Sequence, residues 1–235
     1  MYHKTAMIKI IWQQVLEILF PPICLNCRGY LQSREGRENL LCASCFGGIK
    51  IYSNIFRPDP QTNLITLGSY ENTALRELIH YFKYNGFLGV KVPLEKLITK
   101  WLSINRGLIS VFLLPGSLIV PIPLHKSRLR ARGFNQSEFI AEILSRHLGL
   151  PLEKDLLERV RNTRPQIEMK SEKERSENIK DSIRVKPDKA IILSKYPRLI
   201  LVDDVYTSGA TMKKAAKVLR QAGTKNITAF VVAKT

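Results

Sequence analysis

The chain has no cysteine after position 45, no unbroken apolar run of about 20 residues, and neither of the common glycine-rich nucleotide signatures. The first absence confines thiol chemistry to residues 24–45. The second leaves nothing of membrane-spanning length. MYHKTAMIKIIWQQVLEILFPP is apolar, but Lys9, Gln13, Gln14 and Glu17 break it, so neither a signal peptide nor a transmembrane segment is expected and the expected compartment is the cytoplasm. With no GxxxxGK[ST], and no GxGxxG following a strand, binding of ATP through a Walker loop is not expected. Internal repeats and low-complexity tracts are missing, and the four histidines, His3, His80, His125 and His147, are scattered without metal spacing. Acidic residues are scarce too. Lys and Arg number 37 against 20 Asp and Glu, giving a net charge of +17 and a field that attracts phosphate, nucleic acid or anionic lipid.

What is present fits one full domain and a small module, since 235 residues can bury a sizeable core. Residues 1–22 read as an amphipathic helix: Ile8, Ile11, Trp12, Val15, Leu16 and Leu19 recur at helical spacing, and Pro21 and Pro22 end it. Packing on its own protein is the expected use of that face, ahead of a membrane surface.

Residues 23–52 hold Cys24, Cys27, Cys42 and Cys45, two CxxC pairs at a spacing that lets two tight knuckles place four thiolates tetrahedrally around one zinc ion. Disulfides do not suit a cytoplasmic chain, a redox dithiol has no need of a duplicate, and iron is the remaining rival. Four ligands leave no open position, so the metal would be structural, in a zinc ribbon turning at Gly29, Gly36, Gly47 and Gly48.

A polar linker is expected at 53–63 and a second domain over 64–235. There LITLGSY reads as a strand and Asn72–Asn85 as a helix with the stripe Leu75, Leu78, Ile79 and Phe82, stopped by Gly86. Another helix is expected over Val92–Leu102, and SLIVPIP is a short buried strand closed by prolines. A cationic loop follows, HKSRLRARGFNQ, placed either to meet an anion or simply to face solvent. Next comes a helix over Ser137–Leu148, ended by Gly149. Residues 158–182 are polar and read as a mobile lid or a plain linker.

The densest chemistry lies in ILVDDVYTSGATMKKA. Leu199–Val202 is an apolar run suited to a central parallel strand. Asp203 and Asp204 then stand at its tip, and Tyr206–Thr211 lead into a helix buried through Met212, Ala215, Ala216 and Leu219. Gly223 ends that helix, and ITAFVVA completes a βαβ unit. Free N–H groups at the helix start, its dipole and the hydroxyls of Thr207, Ser208 and Thr211 make a phosphate cradle, with Gly209 allowing close approach. Carboxylates beside a phosphate must serve another part of the ligand, either vicinal hydroxyls or a divalent cation with its waters. A sugar phosphate offers both ends.

VDDVYTSGAT resembles the 5-phosphoribosyl-1-pyrophosphate (PRPP) motif of type I phosphoribosyltransferases. With CLNC, CASC, LIHYFKYNG, VPIPLHKSRLRARGFNQ, RVRNTRPQ and ERSENIKDSI in order, the chain resembles the ComF family of competence-associated, phosphoribosyltransferase-like proteins. The resemblance implies an α/β fold of the type I phosphoribosyltransferase kind, a parallel sheet flanked by helices, with a small N-terminal four-cysteine zinc ribbon. It implies that Asp203 and Asp204 are the catalytic pair and hold the ribose hydroxyls, while Val205, Tyr206, Thr207, Ser208, Gly209, Ala210 and Thr211 hold the 5-phosphate. Lys126, Arg128 and Arg132 would face the pyrophosphate, and Arg164, Gln166, Arg175 and Asn178 would belong to a lid. One departure is Asp181, Ser182 and Ile183, where the family has a small-small-aromatic ending.

Two functions share these residues. One is a PRPP-binding factor for DNA uptake in natural competence, touching single-stranded DNA or a helicase partner through its basic surface. The other is a phosphoribosyltransferase in which magnesium neutralises departing pyrophosphate and catalysis is electrostatic and positional. No reader for an acceptor base is visible, and whether PRPP is consumed or only sensed is left open by the sequence.

Overall fold

The computed structural model describes residues 12, 19, 21–84, 88–112, 116–160 and 183–235. Its frame is a five-stranded sheet ordered β1-β2-β7-β6-β3, built from Ile55–Asp59 (β1), Thr62–Ser69 (β2), Ser117–Pro121 (β3), Arg198–Tyr206 (β6) and Asn226–Lys234 (β7). β2, β7, β6 and β3 run parallel and β1 closes one edge antiparallel. A short antiparallel pair, Leu157–Arg159 (β4) and Ile183–Val185 (β5), stands apart from it.

Strand periodicity divides the apolar residues between two faces. Ile65, Leu67, Ile119, Ile200, Val202, Phe230 and Val232 join one core. Their alternates Leu64, Leu118, Val120, Leu199, Leu201, Ala229 and Val231 join the other. On the first face lie the helices Thr73–Tyr84 (α3), Lys91–Ile104 (α4) and Gln136–Leu148 (α7). On the second lies Ala210–Gln221 (α9), buried through Met212, Ala215, Ala216 and Leu219 as its spacing predicts. This is the mostly parallel α/β architecture expected. The predicted bounds hold to within a few residues, with Asn72 Oδ1 accepting from Leu75 N–H at 3.0 Å to start α3 and an αL Gly149 ending α7. The predicted stop at Gly86 falls outside the described residues.

Three expectations change. Residues 53–63 are not a plain linker: they supply β1, and Arg220 of α9 holds the turn from β1 into β2 by donating to Gln61 O at 2.7 Å and Thr62 Oγ1 at 2.6 Å. HKSRLRARGFNQ is not a loop but contains the helix Lys126–Arg132 (α6). His125 caps its start by accepting from Ser127 N–H, and Gly133, at φ 81°, ends it. Asp203 and Asp204 are expected at the tip of β6, but the strand runs on through them to Tyr206.

The cysteine module is not a separate bead on the chain. It is built on two short helices, Arg34–Asn39 (α1) and Ala43–Gly47 (α2), with one bridge between Ile23 and Tyr30. Its Cys24, Leu25, Leu31, Leu41 and Ile49 belong to the same core as Leu75, Leu78, Ile79 and Phe82 of α3. Of the N-terminal segment, Trp12 and Leu19 are described as helical, yet they are 63% and 65% exposed rather than packed. Among the described residues no helix is long and apolar enough to cross a membrane.

Candidate ligand site and four-cysteine cluster

Strand lengths create the ligand site. β3 pairs with β6 only as far as Pro121 opposite Val202, so Asp203–Tyr206 extend past that neighbour and are paired on the β7 side alone. Into the resulting notch comes the start of α7. Asn135 fixes it, donating to Ile122 O at 3.0 Å and accepting from Ser137 N–H at 3.1 Å. Ser137 Oγ then donates to Asp203 Oδ1 at 2.8 Å, the same oxygen that accepts from Asp204 N–H at 2.9 Å. Asp204 pairs with Lys83 at the end of α3, Nζ to Oδ1 being 2.9 Å. Burial first, and the neighbouring Asp204 second, push the Asp203 carboxyl up to about 6.

Beyond the acids the backbone turns at Gly209, whose φ of 71° lies in the left-handed region. As N-cap of α9 it has no side chain to satisfy the first N–H groups of the helix, which leaves them suited to an anion. The Tyr206 ring lies where a Cβ at 209 would fall. Gly209→Ala therefore meets both a forbidden φ and a ring collision. We expect it to lose about 2–4 kcal/mol of stability, read as a lowered midpoint in urea unfolding, and to spoil the cradle.

The basic residues sort by helix face. Arg128 and Arg132, one turn apart on α6, are half-buried, whereas Lys126 is exposed on a different face. Arg132 NH1 donates to Gln136 Oε1 at 3.2 Å, which carries it to the α7 start. Arg159, at the end of β4, is drawn down to about 10 by desolvation and then by the charge of Arg128, with Asp203 acting in the opposite sense. Arg128 and Arg159 are thus two cations within electrostatic reach of each other, an arrangement that a polyanion would relieve. Arg164, Gln166, Arg175 and Asn178 lie outside the described residues.

Lys83, Ser137 and Arg159 are the site neighbours that sequence reasoning did not single out. Lys83 carried the clearest signal. It follows Ile79 by four residues, so it continues the buried stripe of α3 where an apolar residue is expected.

The four cysteines converge as their spacing predicts, all four Sγ atoms lying within 4.8 Å of one another. Four thiolates at about 2.3 Å from a common ion sit about 3.8 Å apart, and Cys27 Sγ lies 3.8 Å from Cys42 Sγ. Burial opposes the Cys24 thiolate, but the N–H groups of Cys42, Cys27 and Asn26 outweigh it and lower that thiol to about 7. Cys45 is pushed up to about 12, by burial first; Asn26 donates to its sulfur at 3.2 Å and works against the rise, while the other three cysteines add to it. Such a cluster cannot ionise fully without a cation at its centre, and its donors suit a metal ion.

A family model described as a phosphoribosyl transferase domain matches residues 135–235. Competence protein F of Haemophilus influenzae is 27% identical over 230 residues, covering 90% of this chain and 96% of that protein. Competence protein ComFC of Bacillus subtilis is 28% identical over 211 residues, covering 86% and 79% respectively. These likenesses support a ComF-type, phosphoribosyltransferase-like protein. A further relative, DNA utilization protein YhgH of Escherichia coli O157:H7, is 27% identical over 220 residues, with 91% of this chain and 90% of that protein covered. The matched domain begins at Asn135, the cap of α7, and takes in the acid pair, the Gly209 turn and Arg159. Lys83, α6 and the cysteines precede it, so this chain builds part of its notch from elements outside that domain.

Proposed function

We propose that the protein binds magnesium PRPP in the notch and acts in natural competence and DNA uptake in the cytoplasm. The observation that carries this reading is the placement of an acid pair and an uncapped helix start at the two ends of one turn, Asp203 to Thr211. Asp203 and Asp204 accept the ribose hydroxyls, and Val205–Thr211 hold the 5-phosphate with their backbone. Arg128 and Arg132 face the pyrophosphate, with Lys126 at the outer rim. Magnesium, when bound with the ligand, supplies charge neutralisation of the pyrophosphate. The four cysteines hold a structural zinc ion. The role in DNA uptake, with single-stranded DNA or a helicase as partner, is supported by the names of the competence and DNA utilization relatives and by the +17 charge.

A second reading, transfer of phosphoribosyl to a nucleobase or related acceptor, is favoured by Arg159, which lies within electrostatic reach of both Arg128 and Asp203 and would help stabilise departing pyrophosphate. Calorimetric titration of the metal-loaded protein with PRPP and magnesium tests the shared premise, and absence of binding sinks it. Pyrophosphate release on adding bases or single-stranded DNA separates consumption from sensing.

The titration carries a pH signature. Asp203 must be ionised to accept hydroxyls, so affinity should be level above about pH 7 and weaken as pH falls through about 6. The raised carboxyl also makes the unliganded fold less stable as pH rises from about 4 through about 6. Thermal protection by PRPP should therefore be larger at pH 7.5 than at 5.5. Asp203→Asn isolates this group from the titration of the ligand's own phosphates, and an unchanged pH profile in that variant would rule the assignment out.

A further inference from the structure

We propose that Lys83 makes the notch selective for a ribose phosphate that also carries an anion at its anomeric carbon, by bridging Asp204 and that anion. The inference rests on the ribose-phosphate reading above and adds to it the group that senses the pyrophosphate end from the α3 side.

Lys83 is placed with care. Its neighbour Phe82 is 1% exposed and packs against Phe134 and Phe139, with ring centroids 5.1 and 5.4 Å away. The Phe82 carbonyl accepts from Gln136 Nε2 at 3.3 Å, while Gln136 Oε1 accepts from Arg132. A single amide thus ties the last turn of α3 to the cationic face of α6. Lys83 and Asp204 have side chains only 20% and 12% exposed, so their 2.9 Å contact is far less screened than a surface pair.

Ligand chemistry supplies the next step. In a ribose, the anomeric carbon is bonded to the carbon bearing one of the two vicinal hydroxyls. A substituent there must lie beside the carboxylates that accept the diol, and Lys83 Nζ is already against one of them. An ammonium has three donors and can serve a carboxylate and a phosphate oxygen together. Lys83 lies at Asp204, and Arg159 interacts electrostatically with Asp203, so positive charge attends both acids. A diol with only a 5-phosphate would engage the acids and the helix start but not this excess positive charge. PRPP engages all three.

The test compares PRPP with ribose 5-phosphate, both with magnesium, by calorimetry on the metal-loaded protein, its Lys83→Met variant and its Lys83→Arg variant. Lys83→Met should weaken PRPP binding by about ten- to a hundredfold and leave ribose 5-phosphate within about threefold. Lys83→Arg should restore most of the preference, because it keeps the charge. Equal weakening of both ligands would mark Lys83 as a structural counter-ion, and no weakening of either would mark it as idle; each overturns the inference alone. Wild type that binds neither ligand sinks the ribose-phosphate reading and this inference with it. Should Lys83→Met fail to fold, Lys83→Gln makes the same uncharged comparison.

Discussion

Asp204→Ala abolishes PRPP binding: the expected loss is at least about a hundredfold, or about 2.7 kcal/mol. Two effects combine. The first is removal of the acceptor for ligand hydroxyls, where each hydrogen bond to a charged group is worth about 1.5–3 kcal/mol. The second is the uncompensated ammonium of Lys83, which sits 2.9 Å from the lost oxygen with its side chain only 20% exposed. Removing one member of a sheltered pair costs more than the pair contributes, because the other charge stays behind. Some of the damage in the single variant will therefore appear as lowered stability. The double variant Lys83→Met with Asp204→Ala separates the terms: its thermal midpoint should recover towards wild type while PRPP binding stays absent. A single variant that still binds PRPP within about threefold of wild type would remove the acid pair from the proposed clamp.

The ease with which this site was read from sequence varies with the range of its contacts. β6, the turn at Gly209 and α9 are contiguous, so an apolar run, two acids and a glycine before an amphipathic segment sufficed to place them. The cysteine cluster was legible because ligand spacing itself encodes the geometry. Contacts that cross the chain left fainter marks. Ser137 reaches Asp203 across 66 positions, and nothing local to a serine in the first turn of a helix announces that partner. Lys83 could have been found as a polar residue on an apolar stripe. α6 was missed because its four basic residues suggested solvent rather than structure. Yet Lys and Arg are good helix formers, and His125 and Gly133 are serviceable caps. β1 was missed because a short edge strand needs few apolar residues, here Ile55 against one core and Phe56 against the other.

That the cysteine module shares its core with α3 changes what a metal held by the four cysteines would do. Cys42→Ser is expected to lose the metal and, with it, far more than a local knuckle. Structural zinc sites in small peptides contribute about 10–16 kcal/mol to folding. Here Cys24 and Leu41 are fully buried and Leu31 is 2% exposed, and they belong to the same core as Leu75, Leu78 and Ile79 rather than to a core of their own. If only about 3 kcal/mol of that is lost, the thermal midpoint should fall by about 6–12 °C in a chain of this size. A consequence for the notch follows through α3. Arg28, in the first knuckle, contacts Tyr81 OH at 3.4 Å and Glu77 at 4.0 Å, on the turns that lead to Lys83. Loosening the module frees that helix end, so PRPP affinity should fall in step with metal content although the cysteines touch no ligand. Metal analysis, a thermal melt and a PRPP titration on one preparation check the chain of cause. Full metal content with an unchanged melt would end the structural role. Loss of metal with unchanged PRPP affinity would instead uncouple the cysteine module from the notch, and α3 would then be held by its packing on the sheet, α4 and α7.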